Sequence, residues 1–312
     1  MLDVLLTAIS LSSGMALAAA GITMIYMSTE TFNFAHASMV AWAFYIIFTL
    51  HLFFGGTPYL YFPAAALFSG LLGVIIYFTV NRWLLKAGAT MVTLMMSTLG
   101  IDLILYGLLN SFADNLTLTF KKDARYFLLP SLDLKLGTIG ATDIKLIHIL
   151  GLVIVVVTIL SIHTFLFKTR FGVAMRTTVE NPTLATVLGI NPEMVYLVSW
   201  FIGGALAGLG GAILAMVVPG EPRIGMVFIV PLFSASIVGG LYSIFGSLLG
   251  GFLIGISQQV GIYLLAQMLG SWIVAYKLVI PLAIMVITLL FYPQGLGGIP
   301  WGDILKKLKG GE

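Results

Sequence analysis

An all-α, polytopic transmembrane bundle of about 8–9 hydrophobic segments, some of them broken or re-entrant, is the architecture expected of this sequence. Three features lead to it. Residues 31 to 81 contain no Asp, Glu, Lys or Arg, and neither do residues 224 to 276. Such runs far exceed the roughly 20 apolar residues that one spanning helix requires. Hydrophobic residues make up 60% of the chain and charged residues 9%, whereas a soluble domain carries about 25% charge. The hydrophilic residues gather mainly in two regions, 113–143 and 168–193, so residues 1–312 read as a single membrane domain. The net charge of +3 is a weak juxtamembrane bias and no nucleic-acid signature. The absence of cysteine excludes disulfides and thiolate metal sites.

The apolar segments run over residues 4–27, 37–54, 59–80, 91–112, 144–167, 193–218, 225–240, 242–266 and 272–292. The first contains an Ala16-Leu17-Ala18 pattern like a cleavage site, but it has no Lys or Arg ahead of it, carries Asp3, and outruns a signal-peptide core. It therefore reads as a spanning helix. The break that follows, STETFNFAH at 28–36, is polar and short, and fits either a broken helix or a loop. Region 113–143 carries eight charges with Pro130 and Gly137, and its LDLKLGTIG stretch alternates as a small hairpin would. Segment 225–240 has only 16 residues with Pro231 near its centre, which suits a half-helix or re-entrant piece. Lys277 lies near the start of the last segment, where it can snorkel to the interface. If all nine segments cross, Lys and Arg divide eight to seven between the two faces, so charge does not fix orientation; the KKLKG tail leans toward a cytoplasmic C-terminus.

Glycines four apart, Gly204/Gly208, Gly246/Gly250 and Gly251/Gly255, put small residues on one helix face and permit close backbone approach. Packing within the chain and a face for a subunit or substrate path both fit. GGALAGLGGAIL (203–214) and GSLLGGFLIGI (246–256) resemble one another and hint at an internal repeat.

Residues 171–193, FGVAMRTTVENPTLATVLGINPE, form a polar island between two long apolar segments. Asn181-Pro182 is an N-cap followed by proline at the first helical position. Gly189 stops that helix, and Asn191-Pro192 starts the next. A helix of about two turns is unstable alone in water. Pro182–Leu188 must therefore dock on something, and Leu184, Val187 and Leu188 are available for docking.

No catalytic motif is present: there is no GxxxxGK, no HExxH and no GxSxG. The histidines at 36, 51, 148 and 163 are scattered, so neither catalytic residues nor a metal site is expected. Polar residues inside apolar segments are costly in a bilayer and face the bundle interior or a water path. Asp102 is the acid at the centre of a clear span, near the middle of a helix roughly 33 Å long. Ser97 and Thr98 lie one turn earlier, with Thr98 on the face of Asp102. A cavity-lining role and a buried acid bonded to a neighbouring helix are both open. Ser257, Gln258 and Gln259 form a polar step that either links helices or binds an amino or carboxyl group. Asn33 and His36 lie toward the end of the first break and either cap it or face a ligand.

TFNFAHASMVAWAFYI (31–46), the island FGVAMRTTVENPTLATVLGIN (171–191) with its GGALAGLGGAILA continuation, and SIVGGLYSIFGSLLGGFLIGI (236–256) together resemble the branched-chain amino acid ABC-transporter permeases of LivH type. The likeness runs from about residue 20 to the end. It implies a permease subunit in a prokaryotic inner or plasma membrane that pairs with a second homologous permease. It also implies two ABC ATPase subunits on the cytoplasmic face, an external binding protein that delivers substrate, and an amino-acid substrate. No cofactor is expected on this chain, since ATP is hydrolysed by the partners. The family's cytoplasmic coupling loop falls on 168–193, with Glu180, Asn181, Pro182, Leu184, Val187, Leu188 and Gly189 at its centre, and 113–143 then lies outside. In many relatives a small neutral polar residue is expected where Asp102 stands; an acid there would favour a more cationic substrate. The alternative from another class is an autonomous secondary transporter or channel for a small polar solute, which broken helices and midplane polar residues also suit.

Overall fold

The computed structural model describes residues 1–140 and 142–299, so the KKLKG tail lies outside the described residues. Among those residues, twelve α-helices follow in order: α1 (Leu2–Thr29), α2 (His36–Phe54), α3 (Phe62–Ile76), α4 (Arg82–Lys86), α5 (Met91–Phe120), α6 (Leu146–Lys168), α7 (Arg170–Glu180), α8 (Pro182–Val187), α9 (Pro192–Ala215), α10 (Ile224–Gly239), α11 (Ile244–Leu269) and α12 (Val279–Phe291). A 3₁₀ turn before α3 and a π-helical turn, Tyr77–Asn81, between α3 and α4 make Pro58–Lys86 one helical run. Eight runs are long and apolar enough to cross a membrane, and α10 is a shorter apolar helix. The protein is an all-α polytopic bundle.

The centre of the bundle is α1. Every residue from Ser10 to Tyr26 is buried, which is what a helix apolar on all sides requires. It packs against α9, α11, α10 and α6. With no hydrophobic drive between helices in lipid, close packing of small residues holds such contacts together. Gly14 and Gly21 on α1 meet Gly210 and Gly203 on α9: a Cβ at Gly210 would lie 2.6 Å from the Gly14 carbonyl oxygen. The other side of α9 presents Gly204 and Gly208 to α3, where a Cβ at Gly208 would sit 2.5 Å from the Ala65 carbonyl oxygen. Gly246 and Gly250 press on α10, and Gly251 and Gly255 on α1. All three glycine pairs four apart are therefore used inside this chain. The two similar glycine-rich segments, on α9 and α11, both flank α1.

The first break is a reversal of the chain. Glu30 takes the left-handed conformation that ends α1 (φ 49°), and α2 starts at His36. Thr31, Asn33 and Ala35 are buried, so this is irregular backbone enclosed by protein, the setting in which a membrane tolerates it. A hairpin forms in the region where one is expected: β1 (Lys135–Ile139) pairs antiparallel with β2 (Thr142–Lys145). The expected end of the fourth segment at 112 is corrected, because α5 runs on to Phe120 and stops where Lys121 turns left-handed (φ 53°). Hydropathy falls before the backbone changes, since a helix leaving the apolar layer carries polar residues such as Asp114 and Asn115.

Contacts define two ends of the bundle. At one, the hairpin region joins the α9–α10 connection through a Phe127–Gly220 bridge, Tyr45 donates to the Ala124 carbonyl at 2.8 Å, and Tyr59 donates to Asp133 at 2.5 Å. At the other, Arg82 pairs with Glu193 at 3.0 Å, Lys86 also pairs with it, and both hold the end of α4 beside the start of α9. The island belongs to this second end.

Candidate translocation path and coupling surface

The polar residues singled out within spans fall mainly into two places. Around the first break, Thr98 and Asp102 project from one face of α5 onto the start of α2. Thr98 Oγ1 accepts from the Phe34 amide at 3.1 Å and lies 3.1 Å from the Phe32 carbonyl oxygen, to which it can donate. Asp102 Oδ1 accepts from the Ser38 amide at 3.2 Å and the Ser38 hydroxyl at 2.5 Å. Ser38 lies in the first turn of α2, whose amides have no partner within the helix. A carboxylate from a neighbouring helix supplies one and suits the positive end of the helix dipole. Of the two readings of Asp102, the geometry is that of the bonded buried acid. Ser97 is not part of this contact; its hydroxyl returns to the Leu94 carbonyl.

Inside the same break, His36 Nε2 lies 2.8 Å from the Ala18 carbonyl oxygen, so the Nε2–H tautomer donates to α1. That leaves Nδ1 as an acceptor, and it has no partner among the described residues. Asn33 is fully buried; among the described residues its amide nitrogen makes only a weak 3.7 Å contact to Met39 Sδ, and its oxygen has no partner. Buried polar atoms without partners are uncommon and call for an explanation. Next to the break, Phe32, Phe34 and Phe233 group with Met95, Ile229 and Met285 around an apolar cavity of about 340 Å³.

The polar step on α11 stands apart. Gln258 is buried with its side-chain oxygen unpartnered, while Ser257 and Gln259 are half-buried. The structure brings Asn33, His36, Thr98 and Asp102 to one break and leaves Ser257, Gln258 and Gln259 on another helix.

The island folds as its caps dictate. Asn181 Oδ1 accepts from the Leu184 amide at 2.9 Å, and Asn191 Oδ1 from the Glu193 amide at 3.0 Å. Gly189 ends the turn at φ 80°, in the left-handed region open to glycine. Only Ala185 of α8 is buried. Leu184, Val187 and Leu188 are 52%, 80% and 64% exposed, an apolar face with no cover among the described residues. Glu180 is also exposed.

A helix that the motif reading passed over precedes α8. Thr169 caps α7 by accepting from the Gly172 amide at 3.0 Å, and Gly172, Met175 and Thr178 form its buried side. A Cβ at Gly172 would lie 2.6 Å from Leu166 Cα, so α7 folds back tightly on α6. Its signals were a Thr cap and apolar residues at helical spacing, both overshadowed by the Asn-Pro caps downstream. Among the described residues no group of three or more His, Asp or Glu is placed to hold a metal ion.

Residues 4–289 match the family model described as branched-chain amino acid transport system / permease component. The chain is 37% identical over 302 residues to a Methanocaldococcus jannaschii protein described as a probable branched-chain amino acid transport permease protein LivH, covering 97% of this chain and 93% of the relative. It is 28% identical to the high-affinity branched-chain amino acid transport system permease protein BraD of Pseudomonas aeruginosa, over 96% of each chain. A nucleoside ABC transporter permease protein, NupC of Lactococcus lactis, is 31% identical over 63% of this chain and 60% of its own. No solved structure matches. Nine-tenths of the chain lies inside the family model, and a polytopic bundle without a motif for nucleotide or acyl chemistry is what a transport permease needs: the chain belongs to the family of permease components of branched-chain amino acid transport systems.

Proposed function

We propose that this chain is the membrane-spanning permease subunit of an ATP-driven importer for branched-chain or similar small amino acids. The chain works with a second homologous permease, separate ABC ATPase subunits and an external binding protein. The observation that carries the coupling role is α8: a six-residue helix, capped at both ends, that exposes Leu184, Val187 and Leu188. A helix of that length does not hold an apolar face in water without a partner. The ATPase docks there, and nucleotide-driven closure of the ATPases moves α7 and α8 together against α6 and α9.

The route for substrate passes the first break, where among the described residues Asn33 and His36 keep buried polar atoms unpartnered and the flanking Phe32 and Phe34 line an aromatic and aliphatic cavity. That combination offers hydrogen bonds to polar groups and an apolar surface to a side chain. Asp102 and Thr98 act there as positioning residues that hold the break in place.

The decisive experiment is affinity capture from mild detergent, comparing the intact chain with one lacking Thr183–Leu188, together with uptake in cells. Capture of the ATPase and uptake of branched-chain amino acids by the intact chain alone are the expected results. Normal uptake by the deletion chain overturns the coupling role. Gradient-driven flux by the purified chain alone makes it an autonomous transporter.

A further inference from the structure

A second cavity lies at the island end, away from the first break. It encloses about 260 Å³ between the ends of α1 and α6, one face of α7 and the start of α11. Its floor is apolar and buried: Met24, Leu166, Met175 and Ile244 are all less than one-tenth exposed. Two charges of opposite sign, Arg176 and Glu180, also line it and are exposed at its rim. They lie four residues apart on α7, where side chains can meet, yet no ion pair forms between them. Arginine on the N-terminal side of glutamate is the weaker order for such a pair. Arg176 rests over the Phe167 ring at 4.6 Å, and among the described residues neither side chain has a hydrogen-bonded partner.

A cation and an anion one helical turn apart, over an apolar floor rich in methionine, match one ligand chemistry: a zwitterion with an aliphatic side chain. The volume falls just below the roughly 300–1,000 Å³ of sites for drug-sized ligands, which suits a molecule of a few heavy atoms. Methionine adapts its shape, so Met24, Met27 and Met175 tolerate branched side chains of different outline.

We propose that this cavity is a product site, taking a free aliphatic amino acid with its carboxylate on Arg176, its ammonium group on Glu180 and its side chain on the methionine floor. The inference rests on the function proposed above for its substrate class and for placing the island inside. An occupant would tie α7 to α1, α6 and α11. Since α7 leads directly into α8, this restrains the coupling segment, and internal amino acid slows its own import.

The test uses the whole transport complex, purified in detergent without the binding protein and with no ATP. Radiolabelled leucine should bind, and Arg176→Gln at the exposed rim should weaken binding at least tenfold. Leucine methyl ester, lacking the carboxylate, and 4-methylpentanoate, lacking the ammonium, should compete at least tenfold more weakly than leucine. In proteoliposomes, luminal leucine on the island face should slow uptake severalfold for the wild type and much less for Arg176→Gln or for Met24→Trp, which fills the floor. Equal binding by wild type and Arg176→Gln overturns the site. Active uptake of branched-chain amino acids that ignores internal leucine also overturns it while leaving the importer intact; absence of any such uptake instead removes the importer reading.

Discussion

Asp102 shows how a polar residue near the middle of a span can be held by a neighbouring helix. Its Oδ1 is occupied by the amide and hydroxyl of Ser38, on a helix that starts inside the protein. Removing the acceptor leaves a buried donor unmet, which costs about 1–3 kcal/mol. Asp102→Leu should therefore lower stability by about that amount, read from the temperature at which the protein leaves its monodisperse gel-filtration peak. Asp102→Asn, whose side-chain oxygen still accepts from Ser38, should lose less than half as much. Equal stability for Asp102→Leu and wild type would show that the cap is dispensable. The same bond bears on substrate charge: Asp102→Asn should leave the preference for leucine over lysine unchanged in an uptake assay. Glycine gives a second contrast at this scale. A Cβ at Gly208 would press on the Ala65 carbonyl, whereas one at Gly100 meets nothing within 4 Å. Gly208→Ala should reduce the yield of folded protein several-fold, and Gly100→Ala should match wild type; similar yields for the two would disprove the packing account.

Among the elements, those governed by the bilayer were readable and those governed by distant partners were not. The long spans show in the sequence because lipid demands about 20 apolar residues in each. The caps of α8 and α9 show because Asn-Pro and Gly189 act on their own backbone. The small hairpin shows because Leu134, Leu136 and Ile139 sit among polar residues in a short stretch bounded by turn formers. By contrast, α5 runs eight residues past the end of its apolar stretch at 112, because a helix does not stop where its hydropathy falls. The clamp of Thr98 on the break and of Asp102 on α2 joins residues 64 apart, and no local pattern reports it. Whether the glycine pairs face this chain or a neighbour is likewise a matter of three-dimensional packing. The helix α7 was passed over although it links α6 to the exposed face of α8. Its test follows from Gly172, where a side chain would collide with Leu166. Gly172→Val should leave membrane insertion intact and cut uptake at least tenfold, measured as initial rate per inserted protein. Unchanged uptake would mean that α7 is a passive connector.

For the molecule as a whole, the open quantity in the sequence was direction, and the fold converts it into a single binary choice. The hairpin region, the α9–α10 connection and Lys277 gather at one end, since Tyr126, Arg223 and Lys277 line one cavity there. Arg82, Lys86 and Glu193 gather with the island at the other. Any measurement that assigns one end therefore assigns both. The chain contains no cysteine, so a single introduced thiol reports alone. Thr183 on α8 and Ser131 in the hairpin region are both exposed. In intact cells, a membrane-impermeant maleimide should label Ser131→Cys and spare Thr183→Cys; in inverted vesicles the pattern should reverse. The reverse pattern in intact cells would put α8 outside, where no ATPase can reach it, and both the coupling surface and the product site would fall together. Labelling of both thiols from one side would mean that the two regions share a face, contrary to the alternation of spans that joins them.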